Sequence, residues 1–266
     1  MRYNRVADEE ARRANAAIGE RYRMIKLKNI GYKVTDGKGK TNVILEGIDL
    51  EFPDSSITVI TGQNGSGKST LVKLLSGIES PTSGKIYYDG RDITKLGITE
   101  RAKLGFTTAF QQPVRFKGIT VRKLLDIASD HRNNLAGLCE YLSVVGLCAR
   151  DYIDRELDDS LSGGELKRIE LAMAIAKNGS VFLLDEPEAG IDLWSFDNLT
   201  RLFTRLTGKT VLIVSHQSKI IDIADRIVLL DKSGSPKVGT KEEMLPLIHG
   251  GRGVCSVIDG DNKNNG

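Results

Sequence analysis

The fold is decided by the stretch Gly62-Gln63-Asn64-Gly65-Ser66-Gly67-Lys68-Ser69. It has the spacing of one glycine, four further residues and then Gly-Lys-Ser. It follows Ser56–Thr61, a short apolar and β-branched run typical of a buried strand. Ser69–Ser76 then favours a helix. A glycine-rich turn between a buried strand and a helix predicts a phosphate-binding loop, because its glycines let backbone N–H groups turn toward phosphates.

Two side chains of this loop have distinct expected roles. Lys68 is expected to reach the β- and γ-phosphates of a nucleoside triphosphate, and Ser69 is expected to ligate Mg²⁺. The residues of the loop and the first helical turn that we expect to bind nucleotide are Gly62, Asn64, Gly65, Ser66, Gly67, Lys68, Ser69 and Thr70.

A second small glycine-rich turn is Leu161-Ser162-Gly163-Gly164-Glu165, which opens a predicted helix over Gly164–Ala176. Helix N-termini present free N–H groups and a partial positive charge, so this turn predicts a second anion site. One nucleotide does not need two such sites from one subunit. We therefore expect two subunits arranged head to tail, with Ser162, Gly163 and Gly164 of each closing the nucleotide of the other.

Two carboxylates follow the apolar run Val181–Leu184, which reads as a buried strand. Asp185 and Glu186 thus stand at the carboxyl end of a strand, where ligands bind in parallel sheets. We expect Asp185 to hold the Mg²⁺ shell and Glu186 to polarise the attacking water as general base.

In this order the motifs resemble those of the ABC-type ATPases, over roughly residues 24–250. The resemblance implies ATP and Mg²⁺ as cofactors. It also implies that His216 contacts the γ-phosphate and that Asp192 crosses the dimer. Gln111 matches the glutamine that touches Mg²⁺ or water and couples the nucleotide to an inserted subdomain, although the neighbouring Gln112 leaves the register open by one residue.

The residue that stacks on adenine is left open. The family often places an aromatic residue just after the first strand, and here Val34 occupies that position. Tyr32, two residues earlier, either forms the platform or is a packing residue. Trp194 is expected to serve in packing or an interface.

The order of predicted elements favours an α/β fold, a P-loop NTPase core with a mostly parallel sheet. Apolar residues alternate in two stretches of Met24–Phe52, which indicates an antiparallel β element. Strand signals vanish over about 113–160 and helical spacing replaces them, so we predict an inserted helical subdomain at about 113–165. The remaining divisions are a polar N-terminal extension at 1–22, the ATPase domain at 23–250 and a tail at 251–266.

Composition excludes several classes of protein. Lys and Arg number 38 against 35 Asp and Glu, which is too even to suggest nucleic-acid binding. The cysteines Cys139, Cys148 and Cys255 lack the spacing of a zinc site or a disulfide framework. Met1–Tyr22 lacks the apolar core of a signal peptide, and no stretch approaches the ~20 apolar residues of a membrane helix. We therefore expect a cytoplasmic chain without direct membrane insertion.

The subfamily is read from the residues after the second glycine-rich turn. Glu165-Leu166-Lys167-Arg168 differs from transport ATPases, which usually continue with Gln, and resembles the SufC-type ATPase of iron–sulfur cluster assembly. Phe110-Gln111-Gln112-Pro113-Val114 and Glu188 add to this resemblance, whereas Pro187 departs from it.

The sequence leaves three functions open. The first is a homodimeric ATPase that drives conformational change in a soluble SufB-like scaffold. The second is the ATP-binding subunit of an ABC membrane transporter, with a membrane permease as partner. The third is an ATP-dependent interaction module without hydrolysis, which the presence of Lys68, Asp185, Glu186 and His216 disfavours.

Overall fold

The computed structural model describes residues 24–35, 37–111, 116–191, 193–231 and 235–250. Strands in this part of the chain are β1 (Ile25–Thr35), β2 (Thr41–Phe52), β3 (Ile57–Gly62), β4 (Ser83–Tyr88), β5 (Arg91–Asp92), β6 (Phe106–Ala109), β7 (Phe116–Thr120), β8 (Glu156–Leu157), β9 (Val181–Asp185), β10 (Thr210–Val214), β11 (Arg226–Leu230) and β12 (Lys237–Gly239). Helices are α1 (Lys68–Ser76), α2 (Ile98–Lys103), α3 (Val121–Ala128), α4 (Leu135–Val144), α5 (Ala149–Tyr152), α6 (Gly163–Lys177), α7 (Leu193–Arg205), α8 (Ser218–Asp222) and α9 (Lys241–Gly250).

The larger sheet has the strand order β12-β11-β3-β10-β9-β6, and only β12 runs antiparallel to its neighbour. Its central strands are buried on both faces. In β3, for example, Val59 packs in one core cluster and Ile60 in the other. Burial on both faces explains why these strands read as continuous apolar runs rather than as alternating ones. The predicted mostly parallel sheet is confirmed.

The second sheet has the order β2-β1-β4-β5 and is antiparallel. The pairing of β1 with β2 runs from Ile25↔Phe52 to Thr35↔Thr41, which confirms the predicted antiparallel element. Helix α1 is packed into the same core cluster as both sheets, since Leu71 and Leu74 share that cluster with Ile25 and Ile60. The glycine-rich loop that precedes α1 is thereby held on a well-packed support.

The segment at about 113–160 contains α3, α4 and α5, as the helical spacing indicated. The expectation that strands vanish there is wrong, because β7 and β8 form a short antiparallel pair. Phe116 pairs with Leu157, and the register shifts near Gly118, whose φ is +76°. A bulged strand opposite a partner of two residues leaves no alternating pattern in the sequence. The boundaries at 113–165 and 23–250 stay predictions, and those at 1–22 and 251–266 lie outside the described residues.

Helix α6 begins at Gly163, one residue before its predicted start, with Ser162 as its N-cap. Leu166 and Ile169 are buried on its inner face, and Met173 is half-buried there. Within the described ranges, none of the helices has the length and apolar character needed to span a bilayer.

Candidate active site at the strand ends

The carboxyl ends of four neighbouring parallel strands bring the predicted chemistry together. β3 leads into the glycine-rich loop, β10 ends before His216, β9 ends at Asp185, and β6 ends two residues before Gln111. Because parallel strands end at the same edge of the sheet, residues far apart in sequence converge there.

Backbone conformation shapes the loop at both of its ends. Gly62 has a φ of +140°, and a Cβ atom there would lie 2.0 Å from the carbonyl oxygen of Leu230. Gly67 has a φ of +92°, and its Cβ would lie 2.5 Å from the Leu45 side chain. Lys68 Nζ donates to the carbonyl oxygens of Gly62 at 2.8 Å and Gln63 at 3.0 Å. The ammonium group is therefore held inside the curl of the loop.

The donor set suits Mg²⁺ and phosphate. Ser69 Oγ donates to Asp185 Oδ1 at 3.2 Å, which places a hydroxyl oxygen beside a carboxylate, the hard oxygen ligands that Mg²⁺ prefers. The buried Ser66 Oγ has no hydrogen-bond partner among the described residues, so it is available to a phosphate oxygen. The described part of the chain holds no cluster of three His, Cys, Asp or Glu residues fit for a metal.

Burial shifts the pKa values of Asp185 and Lys68 in opposite directions. Asp185 is 4% exposed, and its burial raises the pKa of its carboxyl group. Burial also lowers the pKa of the Lys68 ammonium, while the charges of Glu186 and Asp185 act in the opposite direction. A cation that lies against the Asp185 carboxylate would stabilise its charged form.

Glu186 is held by contacts on both sides of its chain segment. Its backbone N–H donates to Val214 of β10 at 3.0 Å, and its φ of +46° is unusual for a residue with a side chain. Gln111 Nε2 donates to Glu186 Oε2 at 2.7 Å. The structure thus places Gln111 against the expected base, whereas Gln112 lies outside the described residues.

His216 stands beside the loop, with its Nδ1 3.4 Å from Thr61 Oγ1. The preceding Ser215 Oγ donates to Glu188 Oε1 at 2.5 Å and accepts from the Gln217 N–H at 3.0 Å. Burial raises the pKa of the Glu188 carboxyl. No pattern in the sequence indicates this tether, and Glu188 served there only as a mark of subfamily.

Comparison with known proteins decides the family. Residues 45–189 match the family model described as ABC transporter. The chain belongs to this family of ATPases.

Two curated relatives show the range of similarity to this ABC ATPase. The chain is 41% identical, over 73% of its own length and 84% of the relative's, to an uncharacterized ABC transporter ATP-binding protein of Methanocaldococcus jannaschii. It is 31% identical to the sulfate/thiosulfate import ATP-binding protein CysA 2 of Rhizobium meliloti, over 81% of the chain and 62% of that relative. The chain thus spans about three fifths of the length of such import proteins.

Two solved structures share the fold. One is a dimeric structure of a bacterial ABC transporter cassette, with a TM-score of 0.71, 26% identity and coverage of 82% of this chain and 98% of that one. The other is a bacterial Atm1-family ABC exporter with ATP bound, with a TM-score of 0.74, 24% identity and coverage of 85% and 40%. ABC ATPases use ATP with Mg²⁺, so the predicted cofactors and enzyme class are confirmed.

The second glycine-rich turn of this ABC ATPase forms a capping box. Ser162 Oγ accepts from the Glu165 N–H at 3.3 Å, and Glu165 Oε2 accepts from the Ser162 N–H at 2.6 Å. A Cβ on Gly164 would lie 2.3 Å from the carbonyl oxygen of Gly190, so only glycine fits there. A Cβ on Gly163 would meet no described atom within 4 Å, and this glycine is exposed.

The remaining predicted residues give a mixed result. Thr70 is half-buried in the first turn of α1, and Asn64 and Gly65 are exposed on the loop. Asp192 lies outside the described residues. Tyr32 is half-buried against the core, and burial together with a hydrogen bond to Glu79 raises its pKa. Because Glu79 follows the far end of α1, this contact favours the packing alternative for Tyr32.

Proposed function

We propose that this chain is the ATP-binding subunit of an ABC membrane transporter and works at the cytoplasmic side of the membrane. The observation that carries the proposal is a sequence identity of at least 30% to proteins named as ABC transporter and import ATP-binding proteins. This identity extends over about three quarters of the chain. The cassette resembled in fold is itself dimeric. Two copies would close head to tail on two ATP molecules.

The residues at the strand ends account for hydrolysis. Glu186 orients and polarises a water molecule in line with the γ-phosphate, and Gln111 holds the carboxylate of Glu186 in place. Lys68 stabilises the charge that develops on the phosphate oxygens. Ser69 and Asp185 would hold Mg²⁺, which would supply further charge neutralisation when bound. The turn Ser162–Gly164 of the second copy offers its N–H groups to the same γ-phosphate.

Hydrolysis removes the γ-phosphate, and this loss explains how the closed dimer opens and moves the permease. The two copies share this group as a ligand, so the closed dimer is favoured only while it is present. A ligand shifts an equilibrium by its differential affinity for the two states. Hydrolysis removes that affinity, and the dimer opens.

The SufC-type prediction is not supported by these relatives. Glu165 is the first residue of the SufC-like run, but its carboxylate caps the Ser162 N–H at the start of α6. A local helix-capping role accounts for this glutamate without reference to a scaffold protein.

A groove near Gln111 is suited to a permease. A cavity of about 360 Å³ lies between α2, β6, α3 and α6 and has a mostly apolar lining. The apolar residues that line it include Ile98, Phe106, Phe110, Ala128, Leu166 and Met173. Ile98 at its rim is 47% exposed. We propose that an apolar helical segment of the permease docks here, next to the glutamine that contacts Glu186.

The test is purification of the tagged chain from its native membranes in mild detergent, followed by mass spectrometry. We expect a polytopic membrane protein that is retained by wild type and lost from Ile98→Asp. Ile78→Asp is the matched control, because Ile78 is 45% exposed and does not line the groove. A soluble cysteine-bearing partner without membrane spans would replace the transporter proposal with the assembly ATPase.

A further inference from the structure

Helix α6 carries an ion pair, Lys167 with Glu170, that binds the backbone of Phe110, the residue directly after β6. The Phe110 N–H donates to Glu170 Oε1 at 2.8 Å, and Lys167 Nζ donates to the Phe110 carbonyl oxygen. Lys167 Nζ also lies 3.2 Å from Glu170 Oε2. One residue therefore has both of its backbone polar groups bound by two side chains of a different element.

Stability alone does not account for this pair. The Lys167 side chain is 1% exposed, and a lysine that deep is costly unless it is paired and hydrogen-bonded. Apolar residues at both positions would often serve stability as well or better. Apolar residues cannot supply a donor for the Phe110 carbonyl oxygen and an acceptor for the Phe110 N–H. Among the described residues β6 is the last strand of its sheet, so none of the strands described there is available to bind Phe110 on its outer side.

The ion pair lies between the Ser162–Gly164 turn and Gln111, so it can link the two. Phe110 directly precedes Gln111, whose amide donates to Glu186. Lys167 lies four residues into α6, about 6 Å from the N-terminus at the Ser162–Gly164 turn. A shift of α6 that follows engagement of this turn would move Phe110, and through it the contact of Gln111 with Glu186.

We propose that Lys167 and Glu170 are positioning residues, a clamp through which the N-terminal end of α6, at the Ser162–Gly164 turn, sets the placement of Gln111 at the hydrolysis site of the same subunit. A subunit would thus adjust its own base according to whether its α6 engages the nucleotide of the other copy. This inference depends on ATP hydrolysis by two copies and not on the identity of the transport partner.

The decisive variants change which side chain faces the N–H and which faces the carbonyl oxygen of Phe110. In Lys167→Met, we expect kcat to fall by about 10- to 100-fold, the loss typical of a small misplacement near the chemistry, with the KM for ATP within about twofold of wild type. The double exchange Lys167→Glu with Glu170→Lys keeps an ion pair but sets a carboxylate against the carbonyl and an ammonium against the N–H. We expect it not to restore kcat. Restoration would mean that the pair serves only as an ion pair, and would overturn the clamp.

Lys123→Met is the control, because Lys123 also forms an ion pair three residues along its helix, with Asp126, but on the surface of α3. We expect its kcat to match wild type. Binding of a fluorescent ATP analogue and thermal melting establish that each variant is folded.

A second measurement decides the matter even if the exchanged pair does not fold. Hydrogen exchange of the peptide covering 106–111 is followed in Glu186→Gln with and without ATP, and again with Ser162→Arg added. We expect ATP to change the exchange at Phe110 and Gln111 only where Ser162 is intact. An equal response in both proteins would show that α6 does not transmit engagement to this site.

Discussion

The amide nitrogen Nε2 of Gln111 donates a 2.7 Å hydrogen bond to Oε2 of Glu186. This contact joins the entry of the segment that carries α3 to α5 with the carboxylate at the end of β9. A residue that donates to a carboxylate restricts its orientation, and a general base must be held in a fixed orientation toward the water that it activates. The contact is thus a direct route by which a conformational change around Gln111 reaches the water that Glu186 would orient.

Glu186→Gln should retain ATP binding and lose turnover by about 10²–10⁴-fold, the usual contribution of a general base. The amide cannot accept the proton of the attacking water, but it preserves the size of the side chain and an oxygen for Gln111. Steady-state phosphate release at saturating ATP measures the loss. The exposed Asp197 on α7 gives the control Asp197→Asn. Hydrolysis within a few fold of wild type would remove Glu186 from the role of base.

Ser162→Arg should abolish the ATP-induced dimer while the monomer still binds nucleotide. Ser162 is exposed at the N-terminus of α6, and an arginine there would fill the space that the phosphate of a second copy must reach. Light scattering of the Glu186→Gln background with and without ATP reports the dimer. Ser143→Arg, at an exposed serine of α4, should dimerise normally. A dimer in the Ser162 variant would contradict the head-to-tail arrangement.

The sequence predicted the strands that are buried on both faces, because Val181–Leu184 and Val211–Val214 leave almost no polar residue to confuse the pattern. It also placed Asp185 and Glu186 at one sheet edge, since parallel strands order their own ends. It did not predict β6, whose run Phe106–Ala109 has two threonines in four residues and gains its strand conformation from pairing with β9.

Side-chain contacts between elements that are distant in the sequence could not be predicted from it. Lys167 and Glu170 look like two charges on an exposed helix face, and only the packing of α6 against β6 shows that Lys167 is buried. The tether of Ser215 by Glu188 joins the ends of two different strands, and no local spacing encodes it.

The free energy of unfolding of Glu188→Gln, relative to that of wild type, should increase as pH rises. Burial raises the pKa of Glu188, so the folded state binds its proton more tightly than the unfolded state does. Wild-type stability is then lost as pH rises from the ordinary carboxyl range through the raised pKa. A glutamine avoids that loss and keeps an oxygen for Ser215. Urea unfolding at pH 4 and pH 8 measures the difference, with the exposed Glu140→Gln as control. A stability difference that is equal at both pH values would contradict the prediction.

Tyr152→Phe should destabilise the turn at the start of α6 in a pH-dependent way. The Tyr152 hydroxyl donates to Glu165 Oε1 and, with the bonds from Ser162, lowers the pKa of Glu165 to about 2. This stabilisation is fully present above pH 4.5 and is lost as pH falls through about 2. At pH 7 we expect a loss of about 1 kcal/mol in the free energy of unfolding, since the pair is partly solvated.

The loss caused by Tyr152→Phe should shrink steadily between pH 4.5 and the lowest pH at which the protein stays folded. Urea unfolding of both proteins over this range measures it. Tyr141→Phe, on α4, is the control, because the Tyr141 hydroxyl accepts from Asn133 rather than binding a carboxylate. A constant difference over the whole range would mean that Tyr152 contributes by packing and not through Glu165.

Arg101→Met should be the most destabilising of these substitutions. Arg101 is fully buried, and its guanidinium donates to the carbonyl oxygens of Leu74, Leu75, Ile93, Thr94 and Leu96. Two of these belong to the last turn of α1, where a cation is also favoured by the helix dipole. We expect a loss of about 3 kcal/mol or more, because each orphaned buried acceptor costs about 1–3 kcal/mol.

Further substitutions distinguish the support that Arg101 gives to α1 from its contribution to general packing. Arg101→Lys keeps the charge but offers three donors from one nitrogen, so it should recover only part of the stability. Arg91→Met, at an exposed position on β5, should leave the free energy of unfolding within about 0.5 kcal/mol of wild type. Since α1 begins at the phosphate loop, the Arg101 variants should also bind ATP more weakly in proportion to their fraction unfolded. If ATP affinity falls while the protein stays fully folded, Arg101 acts on the loop itself.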